Sequence, residues 1–371
     1  MTPQFEIQLI AVIVAVGCAL PGVFLVLRKM SMMSDSITHT ILLGIVLAFF
    51  ITHDLSSPLL IVGAAIMGVV TVWLTETLTR TNLLAEDAAI GIVFPLLFSI
   101  AIILITRYAG SVHLDTDSVL LGELAFAPFN RMIVFNTDIG AKAIYTAGTI
   151  LIINLVAIFL FFKELKLVTF DPVLAAVLGF SPTMVHYGLM TLVSLTAVSA
   201  FEAVGSVLVV AFMIGPPVTA YLLTDDLKSM LIISVLIGTI NGILGYQLAA
   251  IFDVSIAGSM ATMTGILFIS VFILAPHRGL LSIFRRRKMQ KTKFGKMTLL
   301  FHLLNNESSF IQEQVSQICI VQNHLNWSDH FIKDIINRLQ GENCIEVDGV
   351  FIKLTDKGRK TTIQEYNELF S

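Results

Sequence analysis

The sequence predicts an all-α polytopic membrane protein of about nine transmembrane helices, followed by a small α+β domain. Three observations lead there. Apolar residues make up 56% of the 371 and charged residues only 13%, whereas soluble domains carry roughly a quarter charged residues. Mean hydropathy is +0.87. The apolar residues gather into nine charge-free runs, and beyond about residue 293 the chain turns polar and mixed. So little charge cannot cover a water-facing surface, so lipid faces much of the chain. A net charge of −3 calls for neither nucleic acid nor an acidic partner. Cys18, Cys319 and Cys344 form no CxxC or zinc-type spacing and suggest no disulfide framework.

The spans are read at 7–27, 36–52, 56–75, 88–106, 143–162, 183–201, 203–224, 229–252 and 254–276. Most approach the ~20 residues that hydrocarbon requires. The first lacks a basic leader and is longer than a signal-peptide core, so it reads as a retained span. The 107–142 connection leaves room for a re-entrant piece, so counts of eight or ten stay open. Ahead of the sixth span, Gly179 and Pro182 mark off 171–181 as a short helix outside the membrane. With nine spans, Arg28-Lys29, Arg80, Lys163, Lys166, Lys228, Arg278 and Arg285–Lys288 share one side, and Arg107, Arg131 and Lys142 the other. The positive-inside bias then puts the N-terminus outside and the C-terminus in the cytoplasm. Gly238 and Gly242 form GxxxG, with Gly245, Gly258 and Gly265 following. Such residues let helices approach closely, within one chain or across a dimer.

These signals divide the chain into a transmembrane domain (1–284), a basic linker (285–296) and a cytoplasmic tail (297–371). In the tail, 298–304 and 310–321 read as helices. A third is punctuated by Ser328 as cap, Trp327 and Ile332 as a hydrophobic staple, and Gly341 as terminator. Cys344–Val347 and Val350–Leu354 flank Asp348-Gly349, a hairpin signal, and Thr355–Arg359 leads into a last helix. This is a winged-helix layout.

Polar residues in or beside spans are costly unless paired or functional. Asp35 and His39 stand four apart at the start of the second span, on one helical face. Carboxylate plus imidazole suits Mn²⁺, Fe²⁺ or Zn²⁺, and no nearby thiolate favours copper. The alternative is that Asp35 caps the helix and His39 hydrogen-bonds a neighbour. Glu202, between spans six and seven, is either a possible cation-path residue at the outer mouth or an interfacial loop residue. His113, Asp115 and Asp117 form a weak funnel or a solvated loop. Glu76 and Asp87 look like boundary charges, and His186 like a residue satisfying a backbone carbonyl. No Walker A pattern, nucleophile elbow, HExxH or Rossmann fingerprint occurs. ATP-driven work would need an ATPase on another chain.

Three stretches carry a family resemblance. They are Leu27-Arg28-Lys29-Met30-Ser31-Met32-Met33-Ser34-Asp35-Ser36-Ile37-Thr38-His39; Thr169-Phe170-Asp171-Pro172 through Leu178-Gly179; and Ala203-Val204-Gly205-Ser206-Val207-Leu208-Val209-Val210 through Pro216-Pro217-Val218-Thr219-Ala220. From residue 7 to about 280 the chain resembles the permease subunits of bacterial zinc and manganese ABC importers. The resemblance implies a plasma-membrane permease working as a homo- or heterodimer, a cytoplasmic ABC ATPase, and an extracellular metal-binding lipoprotein or periplasmic protein. It implies that Asp35 and His39 contact the metal. It also implies that 171–181 couples to the ATPase, with Asp171 as cap and Leu174 and Leu178 inserted. No permanent cofactor is expected; manganese leads as cargo, then zinc and ferrous iron.

Such permeases usually stop soon after the last span. The tail is similar to the winged-helix half of diphtheria-toxin-repressor-type regulators, through its layout and Leu354-Thr355-Asp356-Lys357-Gly358. Residues 297–371 hold six Lys/Arg and ten Asp/Glu, without the basic footprint of a DNA reader. Protein contact or regulation is the expected role. Three competing functions are a siderophore- or vitamin-type ABC permease, opposed by Asp35/His39; a membrane-tethered metal-responsive regulator, opposed by the acidic tail; and an intramembrane enzyme, for which no catalytic constellation exists.

Overall fold

A computed structural model describes residues 2–54, 57–108, 124–134, 137–276, 278–306, 325, 327–349 and 351–370; the side chains of residues 133, 134, 137, 202, 306 and 366–370 are outside that description. The chain divides into two compact units, Met1–Gly279 and Leu280–Ser371.

The first unit runs α1 (Pro3–Leu27), α2 (Ser31–Thr52), α3 (Leu59–Arg80), α4 (Glu86–Tyr108), a 3₁₀ turn (Ala127–Phe129), β1 (Arg131–Val134), β2 (Thr137–Ala141), α5 (Lys142–Leu160), α6 (Phe162–Phe170), α7 (Pro172–Val177), α8 (Pro182–Val204), α9 (Ser206–Leu223), α10 (Leu227–Phe252) and α11 (Ile256–Leu274). Nine of these, among the described residues, are long and apolar enough to cross a membrane. In the 107–142 connection the described residues hold no further span; they form the 3₁₀ turn and an antiparallel hairpin instead.

α1 is the hub, packed against α5, α8, α9 and α10, with Ile10, Ala11, Phe24 and Leu25 fully buried. Its outer faces need no water because neighbouring helices cover them. Trp73, Ile103, Phe159 and Leu160, on α3, α4 and α5, remain exposed as lipid-facing side chains would. α1 ends in a Schellman turn. Lys29 is left-handed (φ 61°), the Met30 N–H donates to Leu25 O (2.9 Å) and the Lys29 N–H to Val26 O (3.0 Å). Only three residues therefore separate α1 from α2. At its N-terminal end α1 buries Glu6, only 3% exposed. Arg131 Nη1 donates to both Glu6 oxygens (3.0 and 3.2 Å), while its Nε reaches Asp138 (2.8 Å). The hairpin is thereby pinned to α1. The bond to Asp138 raises the Arg131 pKa from its ordinary value.

Polar glue is sparse. Thr71 donates to Thr40 (2.7 Å) across α2 and α3, and Asn154 on α5 donates to Gly17 O (3.1 Å) on α1 and Thr196 (2.7 Å) on α8. Most other span hydroxyls donate to a carbonyl one turn back in their own helix, as in Thr75 to Thr71 O and Thr264 to Met260 O (both 2.9 Å).

Small residues set the closest approaches. A Cβ on Gly44 would lie 2.4 Å from Gly63 O, and one on Gly63 2.8 Å from Gly44 O, so α2 and α3 touch backbone to backbone. The GxxxG residues Gly238 and Gly242 lie against Ala15 and Ala11 of α1, and Gly245 against Met260 of α11. These are packing contacts within the chain; Gly265 has nothing within 4 Å. Gly205 separates α8 from α9 at φ 78°, ψ 164°, a region essentially closed to other residues.

The second unit runs α12 (Leu280–Asn306), α13 (Asp329–Gly341), β3 (Ile345–Asp348), β4 (Phe351–Leu354) and α14 (Asp356–Phe370). Its core joins Leu299, Leu300 and Leu303 to Ile332, Ile335, Ile336, Leu339, Ile345 and Ile352. The basic stretch 285–296 lies within α12. The expected helix 298–304 is also part of α12, and 310–321 lies outside the described residues. Ser328 stands at the N-cap of α13 but makes no side-chain capping bond. Trp327 packs on Phe331 (5.1 Å) within the core that holds Ile332. Gly341 is still helical, and the left-handed turn falls two residues later at Asn343 (φ 55°). Asparagine tolerates that conformation through its short polar side chain. The hairpin is shifted by one residue from expectation: Asp348 pairs with Phe351, leaving Gly349 (φ 61°) as first turn residue.

Gly44→Val drives a side chain into a backbone carbonyl and should cost on the order of 1–3 kcal/mol, read as a lower thermal midpoint of the detergent-solubilised protein. Gly265→Ala, in open space, should leave the midpoint unchanged.

Candidate functional site

α2 starts at Ser31, with Met30 at its N-cap and no side-chain cap. Asp35 therefore stands beyond the first turn, where backbone N–H groups already have helical partners. That removes the capping role. Its carboxylate Oδ1 instead lies 3.5 Å from His39 Nε2, the side chains 41% and 21% exposed. The neighbouring hydroxyls are committed elsewhere: Ser34 donates to Ser31 O and Thr38 to Asp35 O, both at 2.8 Å. The pair is left facing outward together.

α4 supplies what spacing could not reveal. Phe94 and Phe98, one turn apart, stand 5.1 and 5.8 Å from the His39 ring, the second edge-on. They bound the imidazole with apolar aromatic surface on that side. Among the described residues no three His, Cys, Asp or Glu converge on one point. Asp35 and His39 thus offer two donor groups on one helical face, with no third of these types beside them among the described residues. Glu202 falls in the last turn of α8, not in a loop, and its side chain is outside the described residues. His113, Asp115 and Asp117 lie outside them too.

A second polar cluster joins the ends of α1, α3, α6 and α8. Glu76 Oε1 lies 2.5 Å from His186 Nε2, Tyr187 OH donates to Glu76 Oε2 (2.8 Å), and Arg80 Nη2 is 3.7 Å away. Arg28 Nε donates to Thr169 Oγ1 (3.1 Å), and its Nη1 lies 3.4 Å from His186 Nδ1. Glu76 is therefore a hub and not an idle boundary charge, and His186 pairs with a carboxylate instead of a backbone carbonyl. Two arginines beside this carboxylate repel a passing metal ion, so the cluster holds helices together. Burial lowers the Arg28 pKa, though a guanidinium starts high enough to stay charged. A cleft of about 250 Å³ opens among Arg28, Glu76, Arg80, Pro172, Pro182 and His186.

α7 borders that cleft through Pro172. Asp171 Oδ1 accepts from the Leu174 N–H (2.9 Å), so it is the N-cap. Gly179 follows at φ 88°. Leu174 and Leu178 are exposed, as are Val173 and Val177, while Ala175 is buried. So short a helix with four exposed aliphatic side chains presents an apolar ridge.

Residues 5–275 match the ABC 3 transport family. The zinc transport system membrane protein TroD of Treponema pallidum is 43% identical over 353 residues, 95% of this chain and 96% of that protein. The manganese transport system membrane protein MntD of Bacillus subtilis is 45% identical over 295 residues, 79% of this chain and 100% of that protein. The TroD match is too long to be confined to the first unit. Among solved structures, PsaBC from Streptococcus pneumoniae in complex with a Fab is similar at a TM-score of 0.64 and 28% identity, over 76% of this chain and 95% of that one.

Glu76→Ala should cost on the order of 1–3 kcal/mol by stranding the Tyr187 hydroxyl and the His186 imidazole. A double-mutant cycle with His186→Ala, followed by denaturant unfolding in micelles, should return a coupling of about 0.5–3 kcal/mol; additive losses would mean that the two side chains do not act as a pair.

Proposed function

The chain belongs to the ABC 3 transport family, and from that premise we propose that it is the permease subunit of an ATP-driven importer of divalent transition metal ions, with manganese the leading cargo, then zinc and ferrous iron. The observation that carries this reading is the Asp35–His39 pair. A divalent ion crossing hydrocarbon needs negative charge and lone pairs, which carboxylate plus neutral imidazole supply. Phe94 and Phe98 exclude water from one side of the ring. Two ligands from one helix bind weakly enough to let the ion go, as conduction requires. Glu202 is assigned a supporting place in the cation path. The names of TroD and MntD favour zinc and manganese alike, and an Asp/His set accepts both.

The proposal extends to partners. The C-terminus and α7 face the cytoplasm of a bacterial plasma membrane, an ABC ATPase on a separate chain hydrolyses ATP, and an extracellular metal-binding protein delivers the ion. A second permease subunit, identical or different, completes the path. The α7 ridge, capped by Asp171, inserts Leu174 and Leu178 into a groove of the ATPase. Movement there reaches α1 and α3 through Thr169, Arg28, His186 and Glu76. The transmembrane domain spans 1–284, with 285–296 joining it to the tail. The tail is read as a winged-helix module akin to diphtheria-toxin-repressor-type regulators, retained for protein contact; its excess of acidic residues argues against a DNA-reading role.

Asp35→Asn keeps size and hydrogen bonding but removes the charge, and His39→Ala removes the imidazole. Each should lower metal accumulation at limiting external metal by more than about tenfold, with expression, insertion and ATPase association unchanged. Wild-type accumulation by Asp35→Asn would defeat the ligand assignment. Separately, Leu174→Glu with Leu178→Glu should abolish ATP-driven uptake, and a cysteine at the exposed Val177 should crosslink to the ATPase. Unimpaired uptake in the double variant would leave α7 as a mere surface helix.

A further inference from the structure

We propose that the N-terminal half of α12, residues 281–294, is a docking surface for anionic phospholipid headgroups. This goes beyond the transport reading and rests only on the chain being a membrane protein, not on its cargo. Within 280–306 there are seven Lys/Arg and no Asp or Glu, whereas 297–371 carries six Lys/Arg against ten Asp/Glu. The positive charge of the second unit is thus concentrated at its N-terminal end, the part that follows the last span in the chain. Arg285, Arg286, Arg287 and Lys288 are all exposed and have no side-chain partner among the described residues. Further along, Lys291 sits over the Phe331 ring (4.8 Å) and Lys296 pairs with Glu342, so those two serve the domain itself.

The exposed apolar residues lie in the same stretch. Leu281 is 58% exposed and Phe284 65%; with Arg285 and Lys288 they share one helical face by their i, i+3, i+4 and i+7 spacing. Met289 and Phe294 are also exposed. A cluster placed only to fix topology needs no such side chains. Phenyl and leucyl groups between cations fit the boundary of headgroups and acyl chains, with the basic stems lying along it. Reach fixes the occupant. The last span ends at Leu274 and α12 begins at Leu280, and the six steps along the chain between them cover at most about 20 Å. Four to eight cations so close to a bilayer feel its surface potential directly.

The test uses the full chain in lipid nanodiscs, with hydrogen exchange read over 281–294. In discs with roughly a third phosphatidylglycerol, exchange should slow at least ~5-fold relative to phosphatidylcholine alone, and ~0.5 M salt should reverse the effect. Segment 329–341 should exchange equally in both. Neutralising Arg285–Lys288 to Gln should abolish the difference. Should that variant fail to insert, Phe284→Ser, which keeps every charge, should still reduce the protection. Equal exchange in the two discs, or protection that appears in phosphatidylcholine only on adding duplex DNA or the ATPase, would overturn the proposal.

Discussion

Everything in the first unit follows from one constraint: a polar atom in hydrocarbon must find its partner inside the protein. Span hydroxyls meet it locally by donating to carbonyls of their own helices, so they ask nothing of a neighbour. Asn154 meets it by tying α5 to α1 and α8, and Glu6 by drawing in Arg131 from 125 residues away. Against that background Asp35 and His39 stand apart. They have each other, two flanking rings, and capacity left over. Where Asn154, Glu6 and the span hydroxyls named above are committed to protein partners, this pair keeps lone pairs free for the proposed ion.

That constraint also explains which parts of the fold were legible in advance. A crossing must be apolar, so the nine spans could be counted from uncharged runs. Their ends could not. A rule that stops at a charge placed the first span at 7, the second at 36 and the end of the third at 75, whereas the helices begin at Pro3 and Ser31 and end at Arg80. The residues that cut each run short are Glu6, Asp35 and Glu76; Glu6 and Glu76 are paired with distant residues, and Asp35 with His39 one turn along its own helix. For Glu6 and Glu76 the clipping arose because Arg131 and His186 are invisible to local pattern.

The candidate site divides the same way. The i,i+4 relation of Asp35 and His39 and the capping role of Asp171 are properties of one helix, and spacing gives them. Phe94 and Phe98 belong to another helix, and the Glu76–His186 link joins α3 to α8. No periodicity within a segment encodes either. In the tail, the hairpin was found but displaced by one residue, since Asp348-Gly349 and Gly349 with its successor are nearly equal as turn signals until strand pairing decides.

The Schellman turn at Lys29 carries a mechanical consequence. Between Leu27 and Ser31 the chain has three residues, and two backbone hydrogen bonds already lock them. The joint has no slack. α2 cannot slide along its axis relative to α1 without breaking the turn, so its remaining freedoms are tilt and twist. Asp35 stands four residues, about 6 Å, along α2 from Ser31. On so short a crank, a small twist swings the carboxylate sideways while hardly changing its depth. Under the proposed transport reading, capture and release of a cation would then differ in the direction the carboxylate faces, with its level in the membrane left almost fixed.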